Sequence, residues 1–440
     1  MSFVVKGAAL PDGTRTDVFI DAGRFVDTAP AGATTIDADG LVALPGLVDL
    51  HTHLREPGFE QSETVLTGSR AAAAGGFTAV FAMANTSPVQ DTAGVVEQVL
   101  SLGDRHGYVT VRPIGAVTVG LKGERLSEIG AMAQSRAQVR VFSDDGFCVH
   151  DALLMRRALE YVSTFGGVVA QHAQEPRLTI GAQLNEGALS SELGLTGWPS
   201  VAEESIIARD VLLAQHVGAR LHVCHVSTAG SVEVVRWAKA RGIPVTAEVT
   251  PHHLLLTEEL ARGYDARFKV NPPLRRDEDV LALREALADG TIDIVATDHA
   301  PHPTEAKECA WDEAANGMVG LESALSVVQA AVVESGLLGW ADVARVMSSR
   351  PAEIGLLAGY DAPFAVGSPA NLTLVDPSAR RSFDVSDLHG KSVNSPYLGR
   401  ELPGRIITTI HDGYATVADG ELVGADTVAD AAARDVSARG

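Results

Sequence analysis

A chain of 440 residues with 46% hydrophobic and 21% charged side chains has the make-up of a folded globular protein, which excludes a disordered or fibrous one. Acidic residues outnumber basic ones by 56 to 35, giving a formal charge of -21 with no Lys/Arg-rich stretch, and this excludes nucleic acid as a partner. A site for an anion must then carry its own local positive charge, from metal ions or arginines.

Residues 1–40 read as short strands joined by turns such as Pro11-Asp12-Gly13 and Asp37-Ala38-Asp39-Gly40. The opening MSFVVKGAAL lacks the sustained apolar core of a signal peptide. From about residue 41 to 300 one phrase recurs: a short apolar, β-branched run, then polar residues, then a longer helical pattern. The runs are Leu41 to Leu50, Thr78 to Ala84, Val109 to Ala116, Gln138 to Phe142, Gly167 to Ala170, Arg220 to Cys224, Ile243 to Val249 and Ile292 to Ala296. Eight βα units predict an α/β fold with a (β/α)8 TIM-like barrel over residues 45–358. Helical spacing is clearest in Ser62 to Ala74, Ser200 to Ala214 and Leu321 to Ser335.

The most apolar stretch, Ala71 to Ala84, is too short to span a membrane and is broken by Gly75-Gly76. Ser368 to Val375, Arg405 to Ile410 and Tyr414 to Val417 read as strands again. Residues 1–44 and 359–425 are therefore expected to pair into one small β-sandwich, with 426–440 as a tail. Gly424 to Gly440 reads as a frayed helix or as disorder. Cys148, Cys224 and Cys309 lie far apart without CxxC spacing, so each reads as a small buried hydrophobe in a reducing cytoplasm.

Polar residues gather where the predicted barrel strands end, the rim on which such folds build active sites. The first strand runs into His51-Thr52-His53-Leu54-Arg55-Glu56-Pro57-Gly58. Alternation along a strand puts His51 and His53 on the same side, as two ligands of one metal must be. Later strands end in Asp144-Asp145-Gly146, His172, His225 and Asp298-His299-Ala300-Pro301-His302. Four histidines and two aspartates exceed what one tetrahedral zinc can use, so two metals are implied. Two metals about 4 Å apart suit hydrolysis of an amide near neutral pH. Asp144 and Asp145 fall on opposite sides of an extended strand, and residue type alone does not choose between them.

These motifs, with Met83-Ala84-Asn85-Thr86 and Lys269-Val270-Asn271-Pro272-Pro273-Leu274-Arg275, resemble the amidohydrolase superfamily and, within it, the type I bacterial class of dihydroorotases. The resemblance spans nearly the whole chain. It implies that His51, His53 and Asp298 bind one zinc ion, that His172 and His225 bind a second, and that Asp145 bridges them. It gives Asp298 the proton-shuttling role. It places Arg55, Asn85 and His302 on a substrate carboxylate, with His53 at the same site and Asn271, Asn316 and Gly317 on the ring amide edges.

The implied reaction is reversible cyclisation of N-carbamoyl-L-aspartate to L-dihydroorotate in pyrimidine synthesis, by a cytoplasmic homodimer able to join aspartate transcarbamoylase. Allantoinases and dihydropyrimidinases share the barrel but carry a carboxylated lysine as the bridge, and no lysine lies at the fourth strand end here. Lys122 reads as a surface-loop residue. A non-catalytic structural homologue would have lost ligands, whereas all six are present. Asn316 departs from the aromatic residue that relatives often place before this glycine. His150, His252 and His253 read as structural or supporting histidines.

Overall fold

The computed structural model describes residues 1–431 and builds outward from strand pairings at the two chain ends. Strands β1 (Phe3–Ala9), β2 (Arg15–Asp21), β3 (Arg24–Val26), β4 (Thr34–Asp37) and β5 (Val42–Pro45) open the chain. After them come β6 (Leu47–Thr52), β7 (Phe77–Ala82), β8 (Thr110–Pro113), β9 (Val141–Phe142) and β10 (Val168–Gln171). A small excursion, β11 (Leu184–Asn185) and β12 (Gly197–Trp198), precedes β13 (Leu221–Val223), β14 (Val245–Val249) and β15 (Ile294–Val295). The chain closes with β16 (Leu372–Ser382), β17 (Glu401–His411), β18 (Tyr414–Ala418) and β19 (Glu421–Leu422).

Strands β6-β7-β8 and β9-β10-β13-β14-β15 pair in parallel. A Gly115–Phe142 bridge joins the first set to the second, and a Thr52–His299 bridge joins the last strand end back to the first. Helices between the strands, including Val65–Ala74, Ala93–His106, Ala152–Ser163, Val201–Val217, Ala229–Ala240 and Asp277–Asp289, bury their apolar sides in the largest core cluster. A second cluster draws Val48, Leu50, Phe81, Val141, Val168 and Ile294 together from strands around the ring.

The two ends meet through antiparallel pairing of β5 with β16 in a nine-stranded sheet with its own apolar core around Phe3, Ile20, Phe25 and Leu372. The expected strand Leu41 to Leu50 is in fact two strands: β5 belongs to this sheet and β6 to the parallel ring, with Gly46 between them. A side chain at Gly46 would lie 2.2 Å from Thr78 Oγ1, so the crossing point admits only glycine.

The first predicted helix starts at Val65 rather than Ser62, because Thr64 and not Ser62 caps it, accepting from the backbone N–H of Thr67. The last is helical over residues 321–333 but changes its winding, from a 3-10 turn at Leu321–Ser323 through an α-helix at Ala324–Val328 to a π-helical segment at Gln329–Val333. Of the expected tail, residues 425–431 are helical and 432–440 lie outside the described residues. No helix among the described residues is long and apolar enough to cross a membrane.

Candidate active site

Asp145 stands at the centre of the rim, with each carboxylate oxygen facing a different set of donors. Its Oδ2 lies 3.4 Å from His51 Nε2 and 3.3 Å from His53 Nε2. Asp298 Oδ1 completes that side, 3.5 Å from His51 Nε2 and 3.0 Å from His53 Nε2. On the other side, Asp145 Oδ1 is 3.3 Å from His172 Nδ1 and 3.2 Å from His225 Nε2. All six side chains are buried.

Asp144 is turned away. Its carboxylate accepts the backbone N–H groups of Val117 and Thr118, at 2.8 and 2.9 Å, and the Thr118 hydroxyl. Burial pushes its pKa up to about 6 against these bonds, which pull the other way. Of the two aspartates, Asp145 alone reaches the histidines.

These donors fit metal ions. Tetrahedral bonds of about 2.0–2.1 Å set donors roughly 3.3–3.4 Å apart, close to the separations around Asp145. His51 Nε2 is buried without a hydrogen-bond partner, which is costly unless a cation takes its lone pair. His51, His53 and Asp145 form one candidate metal-holding group, and Asp145, His172 and His225 another. Burial opposes ionisation of Asp145, but His51, His172 and His225 overcome it and hold the acid well below the usual carboxylate range. Burial likewise opposes charging of His51, yet Asp145, Glu248 and Asp298 raise its pKa well above the ordinary value. The pocket is thus electrostatically prepared for positive charge.

Glu248 is a site residue that sequence reasoning missed. It is buried in β14, and its Oε1 is 2.6 Å from His51 Nδ1 and accepts the backbone N–H of His225 at 3.2 Å. Its Oε2 meets His222 Nε2 at 2.9 Å. By accepting the Nδ1 proton, Glu248 leaves the lone pair of His51 Nε2 free to face Asp145 and Asp298. Cys224 joins His51 and Glu248 in a third group of potential donors, but the nitrogen involved already serves Glu248, and burial pushes the Cys224 thiol up. That group is the support of His51 rather than another ion site. A lone carboxylate inside the apolar run Val245–Val249 was the available signal.

Every residue expected to touch substrate lines one cavity of about 220 Å³: His53, Arg55, Asn85, Asn271, His302, Asn316 and Gly317. Asp145, His172 and Asp298 open into it as well, whereas His51 and His225 stand behind. A larger cavity of about 350 Å³ behind His302 contains none of the clustered histidines or aspartates. Asn85 Oδ1 accepts the Nδ1 proton of His53 at 2.9 Å, which leaves His53 Nε2 to face Asp298.

Arg55 Nε donates to the carbonyl of Pro301 at 3.2 Å. Burial lowers its pKa to about 10 against Asp298, Asp145 and Glu63, so it stays charged at neutral pH. His302 Nε2 donates to the Asn316 carbonyl at 2.8 Å, and burial with Arg55 nearby holds His302 neutral, at about 3. At Gly317, with φ +131, an added side chain would come within 2.7 Å of Ala300 Cβ, so the loop after Asn316 demands glycine. Arg55, His225 and Asp298 all have positive φ, the strained backbone that collects at functional sites.

The remaining singled-out residues lie elsewhere. Lys122 and His150 are exposed, and His253 is buried between Thr250 Oγ1 and the Pro272 carbonyl. His252 is buried beside His253. Cys224 is buried as expected, but Cys148 is only partly so and Cys309 is exposed, because its loop carries it to the surface.

A ring of parallel strands with a buried histidine–carboxylate cluster on its rim defines a metal-dependent hydrolase of the amidohydrolase type. The comparisons narrow the class, and the chain belongs to the dihydroorotase family. Residues 40–231 match the family model described as dihydro-orotase-like. The chain is 74% identical over 426 residues to the dihydroorotase of Leifsonia xyli, covering 96% of this chain and 97% of that one. It is 66% identical over 424 residues to that of Streptomyces coelicolor, covering 95% and 99%. Among solved structures, the L-hydantoinase (dihydropyrimidinase) of Arthrobacter aurescens superposes with a TM-score of 0.85 at 26% identity, over 96% and 97% of the chains. The dihydropyrimidinase of Brevibacillus agri gives 0.84 at 22% identity, over 96% of each, a likeness of fold alone.

Proposed function

We infer that this chain is a cyclic amide hydrolase, a dihydroorotase, which interconverts N-carbamoyl-L-aspartate and L-dihydroorotate for pyrimidine synthesis. Family membership supports the reaction class, and Arg55 carries the substrate reading. Its charged guanidinium shares a small cavity with Asp298 and the histidine cluster, and a planar fork matches a ring carboxylate. Asn85 and His302 flank that carboxylate, while Asn271 and the Asn316-Gly317 backbone take the amide edges of the ring. Hydantoinases share the fold, but Asp145 stands where the lysine-bridged relatives named above would place their lysine.

His51, His53 and Asp298 on one side and His172 and His225 on the other, with Asp145 between them, would hold two zinc ions, and the chemistry supplied there would be polarisation of the amide carbonyl and a water acidified toward about 7. Asp298, held as a carboxylate at about 2 by the neighbouring His51 and His53 despite its burial, opens into the cavity as proton carrier. It takes the water's proton and delivers it to the ring nitrogen as the C–N bond breaks. In ring closure the transfers reverse.

Around the site we read the eight-strand ring as a (β/α)8 barrel and the nine-stranded sheet as a sandwich-like appendage. The domain limits 1–44, 45–358 and 359–425 follow that reading. A cytoplasmic setting accords with three unpaired cysteines. A homodimer, and association with aspartate transcarbamoylase, are carried by family resemblance. Turnover assays with zinc analysis test the whole reading: interconversion of carbamoyl aspartate and dihydroorotate is expected with about two zinc ions per chain. Hydrolysis of hydantoin or allantoin with dihydroorotate left untouched would overturn it.

A further inference from the structure

Gln174 lies two residues beyond His172, in the loop that leaves β10, and three hydrogen bonds converge on its side chain. Its Oε1 is 2.7 Å from His172 Nε2 and accepts from Asn271 Nδ2 at 3.0 Å. Its Nε2 donates to Thr179 Oγ1 at 2.7 Å, and Thr179 is itself buried. The directions of these bonds follow from elementary chemistry. His172 Nδ1 faces Asp145 and His225, so the ring proton sits on Nε2 and points at an acceptor. With Gln174 Oε1 as that acceptor, the Asn271 amide must turn its NH2 toward it. Asn271 Oδ1 is then left buried, without a partner, on a residue that lines the substrate cavity. An unpaired buried acceptor is costly, and an N–H on the ligand would satisfy it.

We propose that Gln174 is a positioning residue that couples the second metal position to substrate recognition: one amide oxygen fixes the ring of His172 and, through Asn271, presents an acceptor to the substrate's amide N–H. This deepens the dihydroorotase reading and rests on it. Thr179 holds the amide in register, because its hydroxyl donates to the Glu175 carbonyl at 3.2 Å and so accepts from Gln174 Nε2. Among the described residues, Gln174 is the one whose side chain bonds both His172 and Asn271.

The test uses full-length zinc-loaded protein. Gln174→Met keeps the length of the side chain and removes the acceptor, while Gln174→Glu keeps an acceptor for both donors. Zinc retention against a chelator should weaken by about tenfold or more in the Met variant, with a rise in KM for N-carbamoyl-L-aspartate of similar size. Both should recover substantially in the Glu variant. If the Met variant does not fold, as judged by its thermal melt, Thr179→Val reports instead, with a smaller loss in the same two quantities. The proposal is overturned if Met leaves zinc retention or KM unchanged, or if Glu is no better than Met. Wild-type protein that holds zinc but turns over neither substrate would instead sink the dihydroorotase reading.

Discussion

His51 and His172 flank the same carboxylate, yet their outward nitrogens are braced by groups of opposite character. Behind His51 stands Glu248, a buried anion shared with His222 and the backbone of His225, and no substrate-lining residue touches it. Behind His172 stands Gln174, a neutral amide that also holds Asn271 at the cavity. The difference separates two tasks. A charged brace raises the basicity of the imidazole it serves, while the neutral amide fixes a ring without adding a second buried charge and leaves its oxygen shared with Asn271.

Removing the centre should abolish the distinction. Asp145→Asn replaces one carboxylate oxygen by NH2 and removes the charge of the bridge, and turnover should fall on the order of 10³-fold with loss of bound metal, measured by steady-state kinetics and elemental analysis. Retention of two metals would contradict the bridging role. Glu248→Gln should cut metal affinity by about 10- to 100-fold while leaving KM within about twofold, since that brace has no link to substrate. A large KM change would erase the contrast drawn above. Arg55→Lys should do the converse, raising KM on the order of 10-fold or more with metal content intact, because an ammonium cannot match two carboxylate oxygens at once.

The smallest effect tests the setting of the His172 side. Asp210 bonds Gln171, the last residue of β10, and burial raises its pKa to about 6 against the pull of Arg209. An acid with a raised folded pKa binds more protons folded than unfolded between about pH 4 and 6, so its contribution to stability falls as pH rises through 6. From pH 5 to 7 that contribution should drop by about 1 kcal/mol, and Asp210→Asn should remove this component of the slope in urea unfolding. An identical slope in the variant would show that Asp210 is ionised throughout.

The clustered side chains were legible in the sequence because strand ends punctuate the chain and period-two alternation sorts side chains onto faces. That logic reached His51, His53, His172, His225 and Asp298, and with the family spacing it reached Asp145. It did not reach the braces. Glu248 bonds a histidine 197 positions away, and Gln174 bonds an asparagine 97 positions away, so a lone carboxylate in an apolar strand and a glutamine near His172 do not by themselves reveal those partners. The split of Leu41 to Leu50 was also hidden, since both halves are apolar and only the sheet each joins tells them apart. The Cys309 thiol shows the limit of composition: cysteine is usually buried, and a surface loop overrides the tendency.

Gly46 ties these regions together mechanically. One residue separates a strand of the terminal sheet from the strand that carries His51, and β5 is clamped by β16 from the far end of the chain. The first metal-side histidine is therefore anchored by both termini at once. The strand ring is thus not independent of the terminal sheet: trimming either end would remove a partner from the sheet that holds β5, one residue before the strand that carries His51.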